Sequence, residues 1–297
     1  MTAAAGHGAV YDRGYRPYDG PRGGRGAATY ALFKASIRRA LGLRRSWRQK
    51  VAPFVLLGIV TIPAVINVGI GYVTRNEVID RFEIITYREY VGVSSALLLF
   101  VAIVAPDVVC PDRRQHVLPL MFARPLTGVD YVVSKVGAIT AIMFAFSFIP
   151  QVVLYVGNML VSDGALDYLR GHLDVLWKVP VSVFLLALYY AVVGLAIASL
   201  TDRRIVAGAA IIGLFLVTSI AAGILGDADL GGGSYAALIN VLAMPLHLRD
   251  LVFLGRISGD SQLEGVEYGG VLAIGTYVAV LLTGIGVLLW RYRWVER

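Results

Sequence analysis

The sequence predicts an all-α polytopic membrane protein: six transmembrane helices, an N-terminal amphipathic elbow helix and a re-entrant helical segment before the last span. Three observations carry this. Of the 297 residues, 57% are hydrophobic and 16% charged, against about 25% charged in an ordinary soluble domain; mean hydropathy is +0.70. Several uninterrupted apolar runs can each cross a hydrocarbon core of about 30 Å at roughly 1.5 Å per residue. The basic residues, finally, are divided unevenly among the segments between those runs.

Residues 51–73, 136–162, 179–201, 205–226 and 268–290 contain no Asp, Glu, Lys or Arg. A shorter run, 91–106, extends to about 110 with Asp107 at its boundary. The expected spans are therefore about 51–73, 91–110, 136–160, 179–201, 205–226 and 268–290. All are helices, because backbone groups in lipid must be satisfied within their own segment. A seventh uncharged run, "LGGGSYAALINVLAMPL" at 230–246, opens on three glycines and carries Pro245, which suits a re-entrant or interfacial piece. Charge supports six spans. With a cytoplasmic N-terminus, the inner segments hold 20 of the 27 basic residues and the outer loops hold 13 of the 20 acidic ones. Basic residues favour the cytoplasmic side, and a seventh span would place Arg291, Arg293 and Arg297 outside. The expected location is a bacterial cytoplasmic membrane, with both termini in the cytoplasm.

Residues 1–28 are rich in Gly, Arg, Pro and Tyr without a periodic apolar face, and read as a disordered cytoplasmic tail. No nucleic-acid role is expected. The next stretch, 29–50, forms the elbow helix. Phe33, Ile37, Ala40 and Trp47 fall within about 80° of one another at 100° per residue, with Lys34, Arg38 and Arg45 on a neighbouring face. Such a helix lies in the inner interface, held by membrane lipid; the plainer alternative is a basic flank of the first span. The six-span domain then occupies 51–297.

Several chemistries find no foothold. There is no G-x-x-x-x-G-K-[ST], H-E-x-x-H, G-x-S-x-G or C-x-x-C. Cys110 is the only cysteine, and the four histidines lie outside the charge-free spans, so no metal site or catalytic residue is expected. Polar residues within the spans are few (Asn67, Gln151, Asn158, Tyr189, Tyr190), and no ionisable Asp, Glu, Lys or Arg sits mid-span, which weighs against ion-coupled transport.

The connection 107–135 between the second and third spans is long for a simple reversal of direction. Pro111 and Asp112 can start a short helix running to about Phe122, limited or bent by Pro119; "ARPLTG" then turns the chain and "VDYVVSKVGA" opens the next helix. Leu118, Leu120, Met121 and Phe122 offer an apolar knob ringed by Arg113, Arg114 and Arg124. Aromatic, Met and Arg side chains are enriched at protein interfaces, so the connection reads as a docking surface.

The order "PDRRQHVLPLMFARPLTGVDYVVSKVGA" resembles the inner loop of type-2 ABC exporter permeases. There an acidic residue and a short helix precede a hydrophobic stretch and then A-R-P-[LI]-[ST]-x-x-x-Y-x-x-x-K. Ala123, Arg124, Pro125, Leu126, Thr127, Tyr131 and Lys135 fill that pattern. Many members carry Glu and Gly where this chain has "DRRQHV", so the acidic contact falls on Asp107 or Asp112. The resemblance covers about 29–297 and implies the permease subunit of an ATP-driven exporter. This chain would bind no cofactor and would not itself be an enzyme; a separate ABC ATPase subunit would bind ATP and Mg and hydrolyse the nucleotide. The helix from Asp112 would dock on that subunit, "TDRR" with Asp202, Arg203 and Arg204 would add a smaller contact, and a second permease copy or paralogue would complete the assembly. Between the copies, the first, second and fifth spans would line a pathway, with Asn67, Ser94 and Ser95 as lining residues. The alternatives are an ion-gradient-driven secondary transporter, a membrane enzyme, or a membrane scaffold for a soluble complex.

Overall fold

The computed structural model describes residues 23–43, 47–73, 86–91, 94–118, 126–162, 164–227, 233–258, 261, 263–264 and 266–293. Among them the chain is helical and forms no strand. The helices are α1 (Arg25–Ala40), α2 (Trp47–Val73), α3 (Tyr87–Tyr90), α4 (Ser94–Arg114), α5 (Gly128–Val161), α6 (Ala165–Gly171), α7 (Val175–Ala198), α8 (Arg204–Asp227), α9 (Met244–Leu254) and α10 (Gly269–Arg293), with a 3₁₀ segment, Gly233–Ile239, between α8 and α9. Five of them, α2, α5, α7, α8 and α10, are long and apolar enough to cross a membrane. This is the make-up of a multi-pass membrane protein. The run expected as a sixth span corresponds to α4, whose last two turns carry Asp107, Asp112, Arg113 and Arg114.

The first helix ends earlier than the elbow helix that the sequence predicts. α1 stops at Ala40 because Gly42 takes a left-handed conformation (φ 65°), while the Leu43 N–H donates to the Arg38 carbonyl and the Gly42 N–H to the Arg39 carbonyl. This paired closure is the Schellman arrangement that glycine favours. Trp47 lies beyond that stop and opens α2. Leu32, Ser36 and Ala40 form the buried face of α1, which lies along α5 and α4.

A second difference concerns Asp112. Pro111 does not start a new helix; α4 runs through Pro106 and Pro111 to Arg114. It closes with His116 in the left-handed region (φ 51°), and the Val117 N–H donates to the Asp112 carbonyl. Asp112 thus sits at the negative end of a helix, where an anion is unfavourable unless cations offset it. Pro106 lacks the N–H that would satisfy the Ala102 carbonyl, and Gly208 of α8 fits against that carbonyl: a Cβ there would stand 2.9 Å from the oxygen.

α7 is the most enclosed span, in contact with α4, α5, α8, α9 and α10. Its buried Tyr189 stacks on Tyr277 of α10, ring centroids 5.3 Å apart, and the Tyr277 hydroxyl donates to the Leu185 carbonyl. Tyr190 donates to the Leu242 carbonyl at 2.7 Å, although it lies 15 residues into α7, roughly 22 Å from the start of that helix at 1.5 Å per residue. The turn between the 3₁₀ segment and α9 thus dips deep among the spans. Its exposed backbone is satisfied locally, with the Ala243 N–H donating to Asn240 Oδ1.

Candidate functional site

The densest polar arrangement among the described residues lies at the end of the bundle where α4 gives way to α5. Tyr131 and Lys135 are four residues apart on α5 and so share one face. Both point at the last turn of α4. Lys135 Nζ donates to Asp112 Oδ2 at 2.7 Å and to the Val108 carbonyl at 3.0 Å. The Tyr131 hydroxyl donates to the same carboxylate oxygen at 2.9 Å. Arg39 of α1 closes on the other oxygen, Oδ1. Asp112 is fully buried and Lys135 nearly so. Tyr292, near the end of α10, covers the group with its ring, centroid 4.6 Å from that of Tyr131.

Burial strips the Asp112 carboxylate of water, and Lys135 and Arg39 offset that cost by direct contact with its two oxygens. An unpaired charge here would cost several kcal/mol of desolvation; the two cations and one phenol supply what water would otherwise provide. The result is a knot drawing α1, α4, α5 and α10 together at one level.

Further ties surround it. Arg113 donates to the Ser199 carbonyl at the end of α7. Arg204, the first residue of α8, pairs with Asp107 at 2.7 Å. On the far side of the connecting segment, Thr127 and Asp130 form a capping box at the start of α5, and Arg25 of α1 holds Asp130 with a two-pronged contact of 2.7 and 3.0 Å. The connection between α4 and α5 is therefore anchored at both flanks.

The sequence-expected residues divide accordingly. Neither acid is free to meet a partner: Asp112 is enclosed by this chain and Asp107 is paired with Arg204. Leu118 is buried in the core rather than offered as a knob. Arg114 is exposed, as are Asp202, Arg203 and Arg204, while Arg113 is half-buried. Leu120, Met121, Phe122 and Arg124 lie outside the described residues. On α1, Phe33 and Ile37 are half-buried and Arg38 is exposed. Asn67 is buried, turned away from the exposed face of α2 that carries Ile59, Ile62 and Ile66; a buried amide in lipid finds its partners inside the bundle. Ser94 and Ser95 open α4, and their side chains lie outside the described residues.

Tyr131 and Lys135 belong to the A-R-P pattern, but the sequence does not assign them to Asp112 and does not single out Arg39, although signals for the grouping exist. Tyr131 and Lys135 stand at i and i+4. Arg39 follows buried Ser36 by three residues and Leu32 by seven, which puts it on the inward face of α1 where Arg38 is not. The arrangement holds no nucleophile poised by a base, and the described residues contain no cluster of three or more metal-ligating side chains. What it does is tie four helices together. The chain matches no protein-family model and no curated protein.

Proposed function

We propose that this chain is the membrane-spanning permease subunit of an ATP-binding cassette exporter, with α4 as the second of six spans and the segment between α4 and α5 facing the cytoplasm. The observation that supports it is the buried Asp112 knot beside that segment. A hydrophilic connection pushed by a motor does no work on the spans if it is hinged loosely. Here Arg39, Lys135, Tyr131 and Tyr292 lock the end of α4 to three other helices, while Arg25 secures the start of α5. A displacement of the connection then moves four helices as one element. Closure of an ATPase pair on ATP would bias that element between two arrangements, and the coupling would be reciprocal. ATP and magnesium belong to the partner subunit. A second copy would sit against the apolar faces of α2, α4 and α8, where Ile62, Leu99, Ile103, Val217 and Ile220 are exposed.

Arg114 provides the cleaner test, because Arg113 also holds the end of α7. Copurification of a nucleotide-binding subunit with the tagged chain is expected. Arg114→Glu is expected to lower permease-stimulated ATP hydrolysis several-fold without loss of fold; unaltered stimulation counts against the reading. The buried Lys135–Asp112 pair favours a second reading, an ion-gradient-driven secondary transporter, since ionisable groups held within a helical bundle are the usual parts of a proton path. Gradient-driven uptake by the purified chain alone, abolished by Asp112→Asn, would establish that reading instead.

A further inference from the structure

A crevice of about 290 Å³ opens between α1 and the spans α2, α4 and α5. Its walls include Ile37 from α1 and Leu41 just past its end, Leu57 from α2, Phe100 from α4, and Ala141 and Ala145 from α5. They are almost wholly apolar. Such a lining suits a run of methylene groups and not a hydrated head group, which needs polar partners.

The rim is charged. Lys34, Ile37, Arg38 and Leu41 follow the i, i+3, i+4, i+7 spacing that places four side chains on one helix face. Ile37 and Leu41 line the crevice, and Lys34 and Arg38 are exposed beside them. The other cations of α1 are engaged differently: Arg25 holds Asp130 and Arg39 holds Asp112. Lys34 and Arg38 form no ion pair among the described residues. An apolar slot thus lies beside two positive charges unpaired among the described residues, on a helix alongside the spans of a membrane protein. Long basic side chains can lay their stems on such a surface and keep their heads at the level of lipid phosphates.

We infer that this crevice is a binding site for one anionic glycerophospholipid: an acyl chain lies between α1 and α5, and the head-group phosphate rests on Lys34 and Arg38. The bound lipid completes the contact between the elbow helix and the spans. This site follows from the membrane setting and does not depend on the transport reading.

The full-length chain in detergent, titrated with dioleoyl phosphatidylglycerol or dioleoyl phosphatidylcholine, provides the test by native mass spectrometry and thermal unfolding. One phosphatidylglycerol per chain is expected to be retained, at least tenfold more tightly than phosphatidylcholine, with a matching rise in Tm. Lys34→Gln with Arg38→Gln, both at exposed positions, should bring phosphatidylglycerol down to the phosphatidylcholine level. Ala145→Phe, and separately Ala141→Phe, should fill the slot and reduce retention of both lipids, each variant being checked for unchanged elution and lipid-free Tm. Equal retention of the two lipids by the unaltered chain would overturn the site. So would a preference that survives loss of both charges, lipid retention unaffected by both phenylalanines, or an equal Tm rise with inorganic phosphate alone.

Discussion

The Lys135 ammonium and the Asp112 carboxylate stand 2.7 Å apart with neither side chain more than 4% exposed. Removing one charge strands the other. Breaking a buried pair by deleting one partner costs about 3–5 kcal/mol, because the remaining ion keeps its desolvation penalty. Asp112→Asn is therefore expected to lower Tm sharply, with Lys135 left uncompensated while Arg39, partly exposed, can turn to solvent. Asp112→Asn combined with Lys135→Met should recover most of the loss. Thermal unfolding of the three proteins in one detergent checks this; a single variant as stable as the parent would mean that the pair does not hold the helices together.

His116 ends α4 in the left-handed region, φ 51°, where a Cβ crowds the neighbouring carbonyl and costs roughly 1–2 kcal/mol. Its side chain is exposed, so nothing offsets this through burial. His116→Gly should stabilise the chain by up to about 1 kcal/mol, read as a small rise in Tm. A fall would show that the imidazole makes a contact worth more than the backbone relief.

Gly208 is the point where α8 closes on the Ala102 carbonyl left without a donor by Pro106. A methyl group there meets backbone oxygen at 2.9 Å, and backbone cannot swing aside as a side chain can. Gly208→Ala is expected to cost about 1–3 kcal/mol by overpacking, partly offset by the ordinary gain of replacing glycine in a helix. Gly213→Ala, on the same helix with open space at its Cβ, is the matched control and should be neutral or stabilising. Equal effects of the two would remove the close approach as a cause.

Much of this architecture is legible in one dimension, and the reasons are physical. Charge-free runs mark α2, α5, α7, α8 and α10 because lipid tolerates neither ions nor unsatisfied backbone. The three glycines and Pro245 signal that 230–246 cannot be a plain span. What the sequence conceals is where charge is neutralised in three dimensions. Asp112 beside Pro111 reads as a helix start, since an acid after proline suits a positive helix end. Its placement at the opposite end rests on Lys135 and Arg39, which lie 23 and 73 residues away. Trp47 reads as part of the elbow's periodic face until Gly42 is recognised as a terminator. Leu118 reads as an exposed knob because nothing local says that the end of α4 folds back on the core.

His247 of α9 gives a dependence on pH. It is buried, its Nδ1 lies 3.3 Å from Ser261 Oγ, and its Nε2 has no partner among the described residues. Burial lowers its pKa below the ordinary value near 6.5; neighbouring Asp250 opposes the shift and Arg249 adds to it. The unfolded chain takes up a proton as pH falls through about 6.5, whereas the folded chain resists until lower pH. Over that interval the unfolded state binds more protons, so the folded state loses stability as pH falls and recovers it above neutrality. Tm measured from pH 8 to pH 5 should decline more steeply in the parent than in His247→Gln, whose amide can still meet Ser261 and does not titrate. Parallel declines for the two proteins would assign the acid sensitivity elsewhere.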